Sequence, residues 1–83
     1  MTNTAPDHRL DITDQVCPMT FVRTKLLIER MKAGEIAEVR LNAGEPLQNV
    51  PRSVREHGHE VLQLAPAPGA DETGPYLLLL RKR

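Results

Sequence analysis

Tryptophan is absent from this chain, and its aromatic side chains are two, Phe21 and Tyr76. A surface that stacks bases needs several aromatic planes, so single-stranded nucleic acid is a poor match. A surplus of positive charge is also missing: 11 Lys and Arg face 11 Asp and Glu, and the formal net charge is zero. General nucleic-acid binding needs a basic excess to displace counterions from phosphates, so no direct nucleic-acid partner is expected. The longest apolar run, Leu77–Leu80, falls far short of a membrane span, which argues against a membrane partner. Met1–Asp7 has no apolar core of the secretory kind, so a soluble domain in the cytoplasm is expected. A single cysteine, Cys17, excludes an internal disulfide, and no CxxC or HxxxH spacing offers a metal set. Neither metal nor cofactor is expected.

With 83 residues the chain suits one small domain, residues 8–83, behind a flexible tail of residues 1–7. Leu10 and Ile12 alternate with polar residues over His8–Thr13, which predicts a first strand. A helix follows over Pro18–Ala33, closed by Gly34. Thr20, Phe21, Thr24, Leu27, Ile28 and Met31 share one arc, its core face. Met19, Val22 and Leu26 form a second apolar stripe, suited either to a neighbouring helix or to a partner. Ala37, Val39 and Leu41 alternate with polar residues over Ile36–Asn42, a half-buried strand.

After a turn at Ala43–Pro46 a second helix runs to about His57, with Gly58 beyond it. Pro51 belongs in the first turn of its regular part, with Asn49 as N-cap. His59–Ala65 is a third strand. Pro66–Pro75 holds three Pro and two Gly and reads as a mobile hairpin loop. Tyr76–Leu80 is the last strand, whose unbroken leucines place it centrally and buried on both faces. The β-α-β-α-β-β order predicts an α/β fold: an α+β two-layer sandwich, two helices on one face of a mixed four-stranded sheet.

Parallel crossovers put Cys17, the Asn42–Asn49 loop and the Pro66–Pro75 hairpin at one end. His8, His57, His59 and Arg81-Lys82-Arg83 fall at the other. That separation argues against a Cys–His catalytic pair and against a Cys/His metal site. The terminal basic run reads as a solvated charged end, with nucleic acid or an acidic partner as the alternative.

Cys17 is the candidate catalytic residue. Pro18 suits the first turn of a helix, where its missing N–H is not needed. Cys17 then lies at or beside the N-cap, facing free amides, those of Met19 and Thr20 among them, and the positive end of the helix dipole. A thiol there is biased toward thiolate, its nucleophilic form. The bias is modest: the dipole contributes about 0.3–1 kcal/mol, less than the ~1.4 kcal/mol of one pKa unit. Arg23 and Lys25 begin too far along the axis for certain pairing, and Asp14 opposes ionisation. A small buried cysteine is the competing reading.

The stretch Leu10-Asp11-Ile12-Thr13-Asp14-Gln15-Val16-Cys17-Pro18-Met19-Thr20 resembles the opening of the TusA/SirA-like sulfur-carrier, or sulfurtransferase, family. That opening has Leu-Asp, a Gly-Leu pair, then Cys-Pro-x-Pro. The likeness continues through Thr24-Lys25, Ala33-Gly34-Glu35, Asn49-Val50-Pro51 and Gly58-His59-Glu60-Val61. It implies that Cys17 accepts sulfane sulfur as a persulfide from a donor protein resembling a cysteine desulfurase or rhodanese. It implies relay to an acceptor protein in tRNA thiolation, molybdenum cofactor metabolism or sulfur oxidation. With no second cysteine, transfer is intermolecular, to a partner protein; the chain itself is expected to be a monomer or weak dimer. The chain departs from the family at Thr20 (proline there), Asp14-Gln15 (Gly-Leu), Asn42-Ala43 (an acidic pair) and Asn49 (Asp). These departures bear on partner identity. Two other readings are a non-catalytic interaction module of the same fold with an inert Cys17, and RNA binding by analogy with an initiation factor's C-terminal domain, which zero net charge opposes.

Overall fold

The computed structural model describes residues 6–15, 19–71 and 73–83. The elements run β1 (His8–Asp11), α1 (Met19–Arg30), β2 (Ile36–Leu41), α2 (Glu45–Glu56), β3 (Glu60–Asp71) and β4 (Gly74–Arg81). The strands form one sheet in the order β1-β2-β4-β3. β1 is parallel to β2, and β4 is antiparallel to both its neighbours. Among the described residues no helix is long and apolar enough to cross a membrane.

Period-2 alternation decides which face of the sheet is covered. Ala37, Val39 and Leu41 on β2 and Leu78 and Leu80 on β4 are fully buried. They pack with Ile28 of α1, Val50 and Val54 of α2, and Ile12 and Met31 beside the elements. Leu77 and Leu79 point the other way and are only half-buried, because no helix lies on that face. β4 is therefore central, as its leucine run predicts, but covered on one face rather than two.

Two proline readings are corrected. Pro51 lies inside α2 rather than in its first turn, and Asn49 is helical rather than an N-cap. Pro46 takes the first-turn role, and Gly44 is the cap residue at φ 98°, a conformation that glycine reaches without a Cβ clash. Pro51 gives up one intrahelical hydrogen bond, but its ring is buried, so apolar contact offsets part of that loss.

The expected Pro66–Pro75 loop is instead mostly strand: β3 continues to Asp71, which pairs with Gly74. Pro66 and Pro68 are tolerated because β3 is an edge strand, which needs N–H donors on one side only. Asp71 shapes the tight turn by accepting hydrogen bonds from the Thr73 amide and hydroxyl. The α1 boundary also differs, ending at Arg30 rather than Ala33. The residues after it are held by one distant and one local partner: Lys82 Nζ donates to the Met31 carbonyl at 2.8 Å, and Glu35 Oε1 accepts from the Lys32 amide at 2.8 Å.

A one-sided core makes neighbouring leucines unequal. Leu78→Ala should cost about 2–5 kcal/mol in urea unfolding, as buried leucine truncations do, and Leu77→Ala distinctly less. Equal losses would contradict a sheet covered on one face.

Candidate functional site

β1 ends at Asp11, and the chain then turns toward α1. Asp11 Oδ1 accepts the Thr13 amide at 2.9 Å and the Thr13 hydroxyl at 2.6 Å, and these bonds, the hydroxyl's foremost, hold its carboxyl below the usual range. Ile12 is buried, and its amide donates to the Arg40 carbonyl at 2.9 Å. Asn42, just past β2, donates from Nδ2 to the Thr13 carbonyl at 2.6 Å. The Gln15 amide closes the turn on the Ile12 carbonyl at 3.1 Å. Residues 11–15 are therefore pinned to the end of β2 just before the Cys-Pro step.

Cys17 and Pro18 themselves lie outside the described residues, as does Val16. Of the three supporting residues, Pro18, Met19 and Thr20, the last two are described; Met19 opens α1 and is 42% exposed. Thr20 is 1% exposed and lies against the core, as its place on the core arc of α1 predicts. Its carbonyl accepts the Thr24 hydroxyl at 2.8 Å, while its own Oγ1 finds no hydrogen-bond partner among the described residues. The first turn of α1 carries no acid, so nothing within it opposes an anion at the helix start.

The Asn42 loop, the Asp71–Gly74 hairpin and the start of α1 share one end of the sheet. A Cβ added at Gly74 would stand 3.0 Å from the Ala43 backbone nitrogen, so the hairpin closely abuts the β2–α2 loop. The other end collects the histidines and the basic run. His8 Nε2 lies 2.8 Å from Glu35 Oε1, and the Arg83 amide donates to His59 Nδ1 at 3.2 Å. Arg81 donates twice to Glu60 Oε1, at 3.0 and 2.8 Å, and Lys82 caps Met31. The basic run is thus partly structural rather than simply solvated.

His57 departs from the simple two-end picture. Its ring centroid lies 5.5 Å from that of Phe21, in the first turn of α1. Its neighbours Ser53 and Val54 line an interhelical cleft of about 140 Å³ with Phe21, Thr24 and Ile28. No cluster of three metal-ligating side chains occurs among the described residues.

Sequence reasoning missed Asn42 as an anchor, and only its place beside a turn could have signalled it. The second apolar stripe of α1 does not meet α2: Val22 and Leu26 are 36% and 52% exposed, and α2 packs instead on the Phe21, Thr24 and Ile28 side. The neighbouring-helix reading is corrected, because the stripe lies outside the arc that α2 covers.

A two-layer sandwich of this order, with a lone Cys-Pro step ahead of α1, defines a SirA-like fold. A SirA-like protein from Desulfitobacterium hafniense superposes with a TM-score of 0.69 at 17% identity, over 89% of this chain and 93% of that one. A Helicobacter pylori protein solved in solution gives 0.64 at 17% identity, over 90% and 96%. By sequence, residues 8–82 match the family described as Sulfurtransferase TusA, and the chain belongs to that family. A proposed sulfur carrier protein of Archaeoglobus fulgidus is 51% identical over 55 residues, 66% of this chain but only 62% of that relative's length. YedF of Escherichia coli K12, also named as a proposed sulfur carrier, is 38% identical over 64 residues, 77% of this chain and 83% of its own.

Two measurements test this architecture. Asn42→Ala frees the Thr13 carbonyl and should lower stability by about 1 kcal/mol, with faster amide exchange confined to residues 11–15; unchanged exchange there would show that Asn42 does not pin the turn. Burial, with Lys82 and His57 adding smaller effects, pulls the His59 pKa below its ordinary 6.5. The unfolded chain then binds the proton more readily, so His59 contributes stability above pH 6.5 that is lost as pH falls through its lowered folded pKa. His59→Asn should flatten that part of the stability profile; an unchanged slope would count against the burial effect.

Proposed function

We propose that this chain is a sulfur carrier in which Cys17 accepts sulfane sulfur as a persulfide and hands it to another protein. The observation that carries the reading is family membership across residues 8–82, a span that contains the chain's lone cysteine. The chemistry balances without an outside oxidant or reductant. The Cys17 thiolate attacks the outer sulfur of a donor persulfide, forming a Cys17 S–S bond while the donor cysteine leaves as thiolate. A nucleophile on the acceptor then takes the terminal sulfur, and Cys17 leaves as thiolate.

In this reading Pro18 sets the start of α1, and the amides of Met19 and Thr20 stabilise the sulfur anion. Absence of acid in the first turn supports the same polarity. The pinned turn at residues 11–15 limits how far the approach to Cys17 wanders. The family resemblance suggests donors resembling cysteine desulfurases or rhodaneses, and the lack of a second cysteine in this sequence suggests that the sulfur passes to a separate acceptor protein. The reducing cytoplasm suits a free thiol of this kind.

Incubation with a cysteine desulfurase and cysteine, followed by intact mass measurement, should show a gain of one sulfur, about 32 Da, absent in Cys17→Ser. Failure with desulfurase and rhodanese donors alike, together with slow alkylation of Cys17 in the folded chain, would favour a non-catalytic interaction module.

A further inference from the structure

β1 and the exposed side of α1 enclose a groove of about 650 Å³ whose walls include Arg9, Leu10, Arg23, Leu26, Leu27 and Arg30. Residues 23, 26, 27 and 30 follow i, i+3, i+4, i+7 spacing, so they share one helical face. The groove lining sets three leucines beside Arg23 and Arg30, while Arg9 turns its guanidinium toward Glu38 on the other face of the sheet. Among the described residues neither Arg23 nor Arg30 has a carboxylate partner. Arg9 donates to Glu38 at 3.1 Å but keeps 75% of its side chain exposed. The one acid on the wall, Asp7, already accepts the Ile36 amide at 2.9 Å, and His8 is held by Glu35. In a chain of zero net charge this is a local concentration of cations.

The groove also borders the open edge of the sheet. β1 is terminal in the strand order and pairs with β2 alone. The opposite edge, β3, carries Pro66 and Pro68, which cannot donate backbone hydrogen bonds. β1 carries no proline. A strand added to this sheet would therefore be accepted more readily at β1, directly beside the arginines.

We propose that this groove docks an extended segment of a partner protein, laid along β1 as an added strand, whose side chains turned toward α1 run acidic, aliphatic, acidic. Alternate residues of a strand share a face, so those acids would meet Arg23 and Arg30 and the aliphatic residue between them would cover Leu26 and Leu27. A second copy of this chain fits less well, because a two-fold contact through this face sets arginines against arginines. The inference goes beyond the sulfur-carrier reading and does not depend on Cys17.

The test titrates the acetylated peptide Thr-Glu-Thr-Leu-Thr-Glu-Thr, whose Glu, Leu and Glu share one face of a strand, into the full reduced chain, with no sulfur donor, and follows backbone amide shifts. Shifts should concentrate on residues 7–11 and on Arg23, Leu26 and Arg30, and weaken as salt rises. The Arg23→Glu/Arg30→Glu variant should bind about tenfold or more weakly, whereas Arg52→Glu/Arg55→Glu on α2, with the same change of net charge, should bind within about twofold of the parent. Equal weakening by both pairs, shifts centred on another face, or undiminished binding of the peptide with Lys in place of Glu would overturn the proposal. So would no binding at millimolar peptide. Self-association of the chain through these same residues would reassign the groove to a second copy.

Discussion

The contact between β4 and the two helices holds the molecule together. Leu78 and Leu80 are buried on a strand that has a partner on each side, so they join β2, β3 and the helical layer at once. Apolar burial yields roughly 25 cal/mol per Å², and a small domain has little to spare. The two chain reversals at Asn42–Gly44 and Asp71–Gly74 are each attached to a strand of this seam. Their position thus follows from the core: where β2 and β4 stop, the loops begin.

The same end is also held by polar contacts. Asp11, Thr13 and Asn42 fix the turn after β1 with hydrogen bonds of 2.6–2.9 Å at the surface. The histidines and basic residues cluster at the other end, where their bonds to Glu35, Glu60 and the Met31 carbonyl fix the turn after α1 and the end of β4. One end of the fold is fastened by charge and the other by neutral caps and a carboxylate, which leaves the surroundings of the first turn of α1 comparatively free of fixed cations.

Much of this was legible in the residues. Ala37, Val39 and Leu41 alternate cleanly, and burial follows the alternation. The spacing of Thr20, Thr24 and Ile28 marks the buried line of α1. Proline misled where local rules were outweighed by position. Pro51 is accommodated inside a helix by burial of its ring, and Pro66 and Pro68 by an edge that sequence alone does not reveal. The second stripe on α1 reads the same whether a helix or water covers it, because its partner is set by how α1 and α2 pack. Asn42 was invisible as an anchor since its acceptor is 29 residues away. The Cys-Pro step was legible chiefly through family resemblance; dipole and amides alone argue only a modest activation of Cys17.

The strand order has a consequence for biosynthesis. β4, which sits between β2 and β3, follows every other element in the chain. During translation β1, α1, β2, α2 and β3 leave the ribosome before the strand that joins them. Until then β2 and β3 lack their shared neighbour, and the apolar sides of both helices lack most of their floor. Long-range pairing of this kind must wait for loop closure over many residues. The seam between β2 and β3 therefore closes only when β4 is added, and until then the leucines that complete the core are missing.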